Sequence, residues 1–312
     1  MFSSFLLALT IAFPKPGQTL PPVERTYMSG SVPHGITNIV VQGKDVPVYW
    51  TGGWVTMVDL VEGTNVIEVV SVSTRTNYTI RVARRASGSS GAAAEPKKYA
   101  KLSYAKDEAR KHPAGKKPAD CVIVLDPGHG GANDCGAISP HGYHEKDANL
   151  SFARILRNVL VKRGYRVAMT RDDDTAIHRL ERGRIACTNE NAVAFISIHH
   201  NAPNYNRDPR GLRYMCVYAW NAIGKALAKP ICDRMGAVLE GDIPNNGVLE
   251  ANYAVTRNPE VPSCLLEIDF ITTPEGEAAI WNTPRRFKIA NAIADGIDDW
   301  LLAPYLKTKN ML

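Results

Sequence analysis

No apolar run in the sequence reaches the ~20 residues that a membrane-spanning helix needs, so no segment is expected to cross a bilayer. The six cysteines, Cys121, Cys135, Cys187, Cys216, Cys232 and Cys264, contain no CxxC pair, which excludes a zinc ribbon and a thioredoxin-like redox motif. Their pairing is open at this level, and reduced thiols packed as small hydrophobes are an equally good reading. No Ser-His-Asp or Cys-His nucleophile arrangement can be picked out. Recognition helices, RNA-binding aromatic signatures and zinc fingers are missing too, so no nucleic-acid partner is expected. The net charge of +6 is modest. It suits an anionic polymer without identifying one.

What is present is ordinary globular composition, 45% hydrophobic and 22% charged over 312 residues, enough chain for two compact domains. A short apolar stretch from Phe5 to Phe13, with Ala12 just before Pro14, resembles an export signal within residues 1–20, although no Lys or Arg precedes it. Residues 39–41, 46–49, 54–60, 65–72 and 78–82 are rich in Val, Ile, Thr and aromatics, with Gly43, Gly52-Gly53 and Glu62-Gly63 as turn signals between them. That rhythm predicts a small all-β sandwich over 25–86. The stretch "VDLVEGTNVIEVVSVS" resembles the immunoglobulin-like modules appended to bacterial cell-surface enzymes. Residues 87–118 have linker composition, with "ASGSSGAAAEPKK" and then charge and proline without an apolar face.

From Cys121 onward the pattern becomes strand, loop, helix. Residues 122–125, 165–169, 194–199, 214–218 and 263–270 read as strands. Helices are expected from an N-cap at Asp147 to a stop at Gly164, over 180–187, over 222–239 and over 286–302. This alternation predicts an open α/β/α sandwich with a largely parallel sheet over 119–304, and a tail over 305–312.

In such sheets function gathers beyond the carboxyl ends of the strands. His129 follows the strand 122–125 in "DPGHGG", Glu145 precedes the first helix, and His199 ends "AFISIHH". Two imidazoles and one carboxylate form a common catalytic zinc set that leaves a fourth position for water. Glu267 lies inside "SCLLEIDF", where a carboxylate is costly without a task or a partner. Near a metal it would suit general-base work. Each residue alone has a plainer reading: a surface loop histidine, a helix-dipole carboxylate, a core histidine, an arginine-paired glutamate. Their joint placement at strand ends favours a site.

The segments "VIVLDPGHGGANDCGA", "GYHEKDANL", "YRVAMTRDDD", "LERGRIA", "FISIHHNA" and "PSCLLEIDFIT" follow one another as in the amidase 3 family of N-acetylmuramoyl-L-alanine amidases, which this region resembles from Val122 to Trp300. The resemblance implies one Zn2+ per chain held by His129, Glu145 and His199, with Glu267 as catalytic base. It implies hydrolysis of the amide between N-acetylmuramic acid and L-alanine in peptidoglycan, with metal-bound water as nucleophile. The N-terminal apolar stretch points to export, to the periplasm or cell wall; the chain is expected to be a monomer, and the tethered β module to dock to wall or protein. Another zinc peptidase or deacylase, or a catalytically silent wall-binding protein, is the alternative. Two departures stand out. Asp269 occupies a position where glycine is usual, and its charge is expected to raise the pKa of Glu267. His200 follows the proposed ligand, and on a strand only one of the two neighbours can face the metal. His141 and His144 are read as bystanders. Prolines and the Asn245-Asn246-Gly247 turn leave no room for an inhibitory helix between His199 and Glu267.

Overall fold

The structure is a computed structural model and describes residues 9–72, 74–83, 116–189, 191–258 and 260–308. The chain divides into two compact units. The first comprises Met1–Glu108 together with Pro140–Gly142 and Pro203–Arg210. The second holds the remainder.

The first unit is all β. Its strands are β1 (Thr10–Phe13), β2 (Thr19–Leu20), β3 (Arg25–Ser31), β4 (Asn38–Val41), β5 (Lys44–Pro47), β6 (Gly53–Asp59), β7 (Gly63–Val70) and β8 (Arg75–Val82). They form a three-stranded sheet, β1-β3-β6, and a five-stranded sheet, β2-β8-β7-β4-β5. In β8 the two-residue period is strict: Tyr78, Ile80 and Val82 are buried while Asn77, Thr79 and Arg81 are exposed. Met28 and Trp54 of one sheet share a core with Ile67 and Ile80 of the other, so the two sheets pack face to face. β1 lies within the stretch that resembles an export signal; the part of that stretch before residue 9 falls outside the described residues. Phe13 is a core residue of this unit. Export signals and half-buried strands draw on the same apolar residue types, and composition alone does not separate them. The Tyr205 carbonyl accepts from the Tyr27 amide at 3.1 Å. Its ring stacks on Phe13 with centroids 5.8 Å apart. The expected linker lies outside the described residues up to residue 115, as does the tail after residue 308.

The second unit runs β9 (Val122–Pro127), α1 (Glu145–Lys162), β10 (Arg166–Met169), α2 (Arg179–Thr188), β11 (Ala192–Asn201), β12 (Met215–Ala219), α3 (Ala222–Leu239), β13 (Asn245–Glu250), β14 (Ser263–Phe270), α4 (Pro274–Trp281) and α5 (Thr283–Thr308). The sheet order is β10-β9-β11-β14-β12-β13. Neighbours are parallel except for β12, which is antiparallel to β14. On one face Phe152 and Leu156 of α1, Leu227 and Ile231 of α3, and Ile293 and Ile297 of α5 cover Ile123, Ile196 and Leu266 of the strands. On the other, Ala186 of α2 and Val255 and Val261 of a loop cover Val124, Phe195 and Leu265. This is the α/β/α sandwich that the alternating elements predict.

Three details depart from the sequence reading. α1 begins three residues early, with His144 rather than Asp147 at its N-cap and both Glu145 and Asp147 in its first turn, where acidic groups complement the helix dipole. β13 forms across the Asn245-Asn246-Gly247 turn signal, with Gly247 at φ 77°. Edge position makes this tolerable, because among the described residues β13 pairs with β12 alone. α4 escaped notice because it is a short helix, although Thr273 caps it and Pro274 starts it.

Candidate metal centre and catalytic crevice

Three adjacent strands deliver the polar groups. Parallel pairing sets Pro127 of β9 beside Ile198 of β11, and His199 of β11 beside Glu267 of β14. His129 lies two residues beyond the end of β9, and Glu145 opens α1. One ligand-capable atom from each of His129, Glu145 and His199 lies within 4.8 Å of the others. His129 Nε2 is 3.2 Å from Glu145 Oε2, and His199 Nδ1 is 2.9 Å from Glu145 Oε1. The three residues expected to meet therefore do so.

Glycines make the approach feasible. A Cβ on Gly128 would stand 2.2 Å from the His199 ring, and one on Gly136 would stand 2.5 Å from Glu145 Oε2. His129 itself sits at φ 59°. The left-handed region costs a non-glycine residue ~1–2 kcal/mol, so the loop must be held by something else.

The Glu145 carboxylate is densely bonded. It accepts from the Ala137 amide (3.0 Å), the His200 amide (3.2 Å) and Asn149 Nδ2 (3.2 Å). Burial pushes its pKa up, but the two imidazoles outweigh burial and hold it well below the usual carboxylate range. Burial draws His129 down, while Glu145 on one ring nitrogen and Asp134 on the other carry it up to about 9. Asp134 Oδ1 lies 2.5 Å from His129 Nδ1, the kind of outer carboxylate that fixes a ligating imidazole.

Glu267 is the opposite case. Its Oε2 is buried with no hydrogen-bond partner. Burial first, and the nearby Glu145 charge second, hold its pKa well above the ordinary value. Asp269 does not supply that effect, which corrects the expectation from sequence. It is fully buried between Arg213, at 2.6 Å, and Arg285, at 2.9 Å, and these guanidiniums neutralise it. Arginines are thus spent on Asp269, not on Glu267.

His199 faces the cluster and His200 does not. His200 Nδ1 lies 2.8 Å from Asn149 Oδ1, and burial lowers its pKa to about 3. It is a neutral core imidazole that orients the Asn149 amide. His144 caps α1, and His141 Nε2 lies 3.1 Å from the Thr51 carbonyl inside the first unit. Neither joins the cluster. Between His199 and Glu267 the only helix among the described residues is α3. Sequence reasoning gave no role to Asp126, Asp134, Asn149, Arg171 or Arg182, which surround the loop. A carboxylate ending an apolar strand, as Asp126 does, was the available signal.

The fold and the cluster define a sheet-based hydrolase-like site. The family model for N-acetylmuramoyl-L-alanine amidase matches residues 123–299, more than half of the chain, and the chain belongs to that family. A Staphylococcus aureus protein named "Probable cell wall amidase LytH" is 37% identical over 180 residues, covering 56% of this chain and 57% of that protein. The chain thus spans little more than half the length of that relative. An N-acetylmuramoyl-L-alanine amidase from Clostridium difficile 630 superposes with a TM-score of 0.53 at 30% identity, covering 61% of this chain and 98% of the other. AmiC2 of Nostoc punctiforme, an N-acetylmuramoyl-L-alanine amidase, gives 0.52 at 32% identity, with 58% and 97% covered.

Proposed function

We propose that this chain is a zinc-dependent amidase that hydrolyses the amide between the lactyl group of N-acetylmuramic acid and L-alanine in peptidoglycan. The observation that carries this reading is a half-buried Glu267 whose inner Oε2 has no hydrogen-bond partner, beside a convergent His129–Glu145–His199 cluster. The donor set fits zinc: two neutral-capable imidazoles and one carboxylate, arranged to leave a coordination position open. Held there, zinc supplies Lewis acidity toward the scissile carbonyl and toward water.

The remaining steps belong to the protein. Glu267 takes the proton of the attacking water and returns it to the departing amine, since an amide nitrogen must be protonated to leave. A raised proton affinity suits that shuttle, because the carboxyl must hold the proton between the two transfers. Glu145 stays ionised and anchors both imidazoles. The names of the relatives and solved neighbours, cell wall amidase and N-acetylmuramoyl-L-alanine amidase, support the same substrate.

Such a substrate lies beyond the cytoplasmic membrane, so the reading includes export to the periplasm or cell wall and action as a monomer. The β unit serves as a wall- or protein-docking module. Removing residues 1–118 should then leave cleavage of soluble muramyl peptides unchanged and lower binding to sacculi; lost soluble activity would mean that the β unit supports the site. The central test is mass analysis of sacculi digested by the purified chain. Free stem peptides with intact glycan are expected. Cuts inside the stem would mean a peptidase, and unaltered sacculi a silent binding protein.

A further inference from the structure

Two arginines from different elements converge on the backbone that carries His129. Arg182 of α2 is buried and donates from Nη1 to Asp126 Oδ1 (2.7 Å) and the Pro127 carbonyl (2.9 Å), and from Nη2 to the His129 carbonyl (2.7 Å). Arg171, in the loop after β10, is also buried. It donates from Nε to the Pro127 carbonyl (2.9 Å), from Nη2 to the carbonyls of Gly128 (2.9 Å) and Lys146 (2.8 Å), and from Nη1 to that of Asp173 (2.8 Å). Three consecutive carbonyls, Pro127, Gly128 and His129, thus turn onto two guanidiniums. Burial of two like charges side by side is unfavourable unless they are compensated. Asp126 compensates Arg182, and is itself held by Thr170 (2.6 Å) and Ser197 (2.7 Å). Among the described residues, Arg171 makes no hydrogen bond to a carboxylate beside its four carbonyl contacts.

We propose that Arg182 and Arg171 are positioning residues that lock the Pro127–His129 backbone, hold His129 in its left-handed conformation, and so set the affinity and geometry of the metal site. Neither guanidinium is within the His129–Glu145–His199 cluster; both act through carbonyls. The Lys146 carbonyl ties Arg171 to the first turn of α1 as well, so the same guanidinium fixes the spacing between His129 and Glu145. Lysine cannot reproduce the arrangement, because a point charge on a flexible stem cannot span carbonyls that a planar fork reaches together.

This inference rests on the metal-centre reading, and the experiment separates their failures. Full-length Arg182→Lys and Arg171→Lys proteins are compared with the parent for zinc affinity by chelator competition, for the visible spectrum of the cobalt-loaded form, and for thermal midpoint without metal. Zinc affinity is expected to fall on the order of 10- to 100-fold, the usual effect of removing a ligand's outer support, with an altered cobalt spectrum in both variants. A purely structural clamp would lower the metal-free midpoint and leave the affinity and spectrum of the folded protein at parent values. That result would overturn the proposal. Should Arg182→Lys fail to fold, Arg171→Lys decides by the same criteria. A parent that binds neither zinc nor cobalt overturns the metal-centre reading, and this proposal with it.

Discussion

The two sides of the crevice treat a carboxylate in opposite ways. On the β9–α1 side, Glu145 is met by two imidazoles, two backbone amides and an asparagine, and its proton affinity falls. On the β14 side, Glu267 has a bare oxygen and its proton affinity rises. Identical functional groups thus acquire different chemistry from their surroundings: one is fixed as an anion, the other is left able to gain and lose a proton. The contrast also shows where the protein spends its polar groups. Arg171, Arg182, Asn149 and Asp134 all support the first side, whereas Arg213 and Arg285 are committed to Asp269 and leave Glu267 alone.

This contrast can be broken at graded cost. The largest effect should come from the ligand side. Chelation should abolish activity and added zinc restore it, and His129→Ala, Glu145→Ala or His199→Ala should each lose bound metal by elemental analysis. Two of these three variants keeping a full complement would show that the cluster is not the metal site. Next in size is Glu267→Gln. It should keep its metal and its fold while turnover drops roughly 10²–10⁴-fold, as for loss of a general base. A near-parent rate would mean that the bare carboxyl is not the proton carrier. The smallest effect should follow Asn149→Ala, which removes donors to Glu145 and Gly128 together. Metal affinity should weaken by about tenfold, at the low end for an outer partner. Unchanged affinity would show that the remaining contacts alone hold Glu145.

Most of the second unit could be read from the sequence because its signals are local. The apolar run before Asp126, the helical spacing through Ala153, Leu156 and Leu160, and the runs into His199 and Glu267 each announce an element without reference to another. The β13 edge strand could not be read this way. Its residues include Asn245, Asn246 and Gly247, which favour a turn, and only pairing with β12 makes them a strand. β1 was obscured for a related reason, since its apolar residues suit an export signal as well as a sheet. At the site, the cluster residues were legible as chemistry-bearing types at strand ends. Their supports were not. Whether Asp269 faces Glu267 or two arginines depends on Arg213 and Arg285, which lie far from each other in sequence and meet only in the fold. The same holds for Arg171 and Arg182, whose partners are backbone carbonyls and carry no residue signature.

The sheet order divides the chemistry along the chain. Strands β10, β9 and β11 form one contiguous half, with every cluster residue drawn from 129–199; β14, β12 and β13 form the other half and bring Glu267. The junction between halves is the single pairing of β11 with β14, at which His199 meets Glu267. During synthesis, the half that gathers the cluster is translated before the residue that would use it. Under the proposed mechanism, hydrolytic competence therefore waits on β14, and a chain interrupted before that strand carries the cluster without Glu267. The same junction marks a place to split the domain into two fragments, neither holding the full set of groups, so that cleavage would report their reassociation.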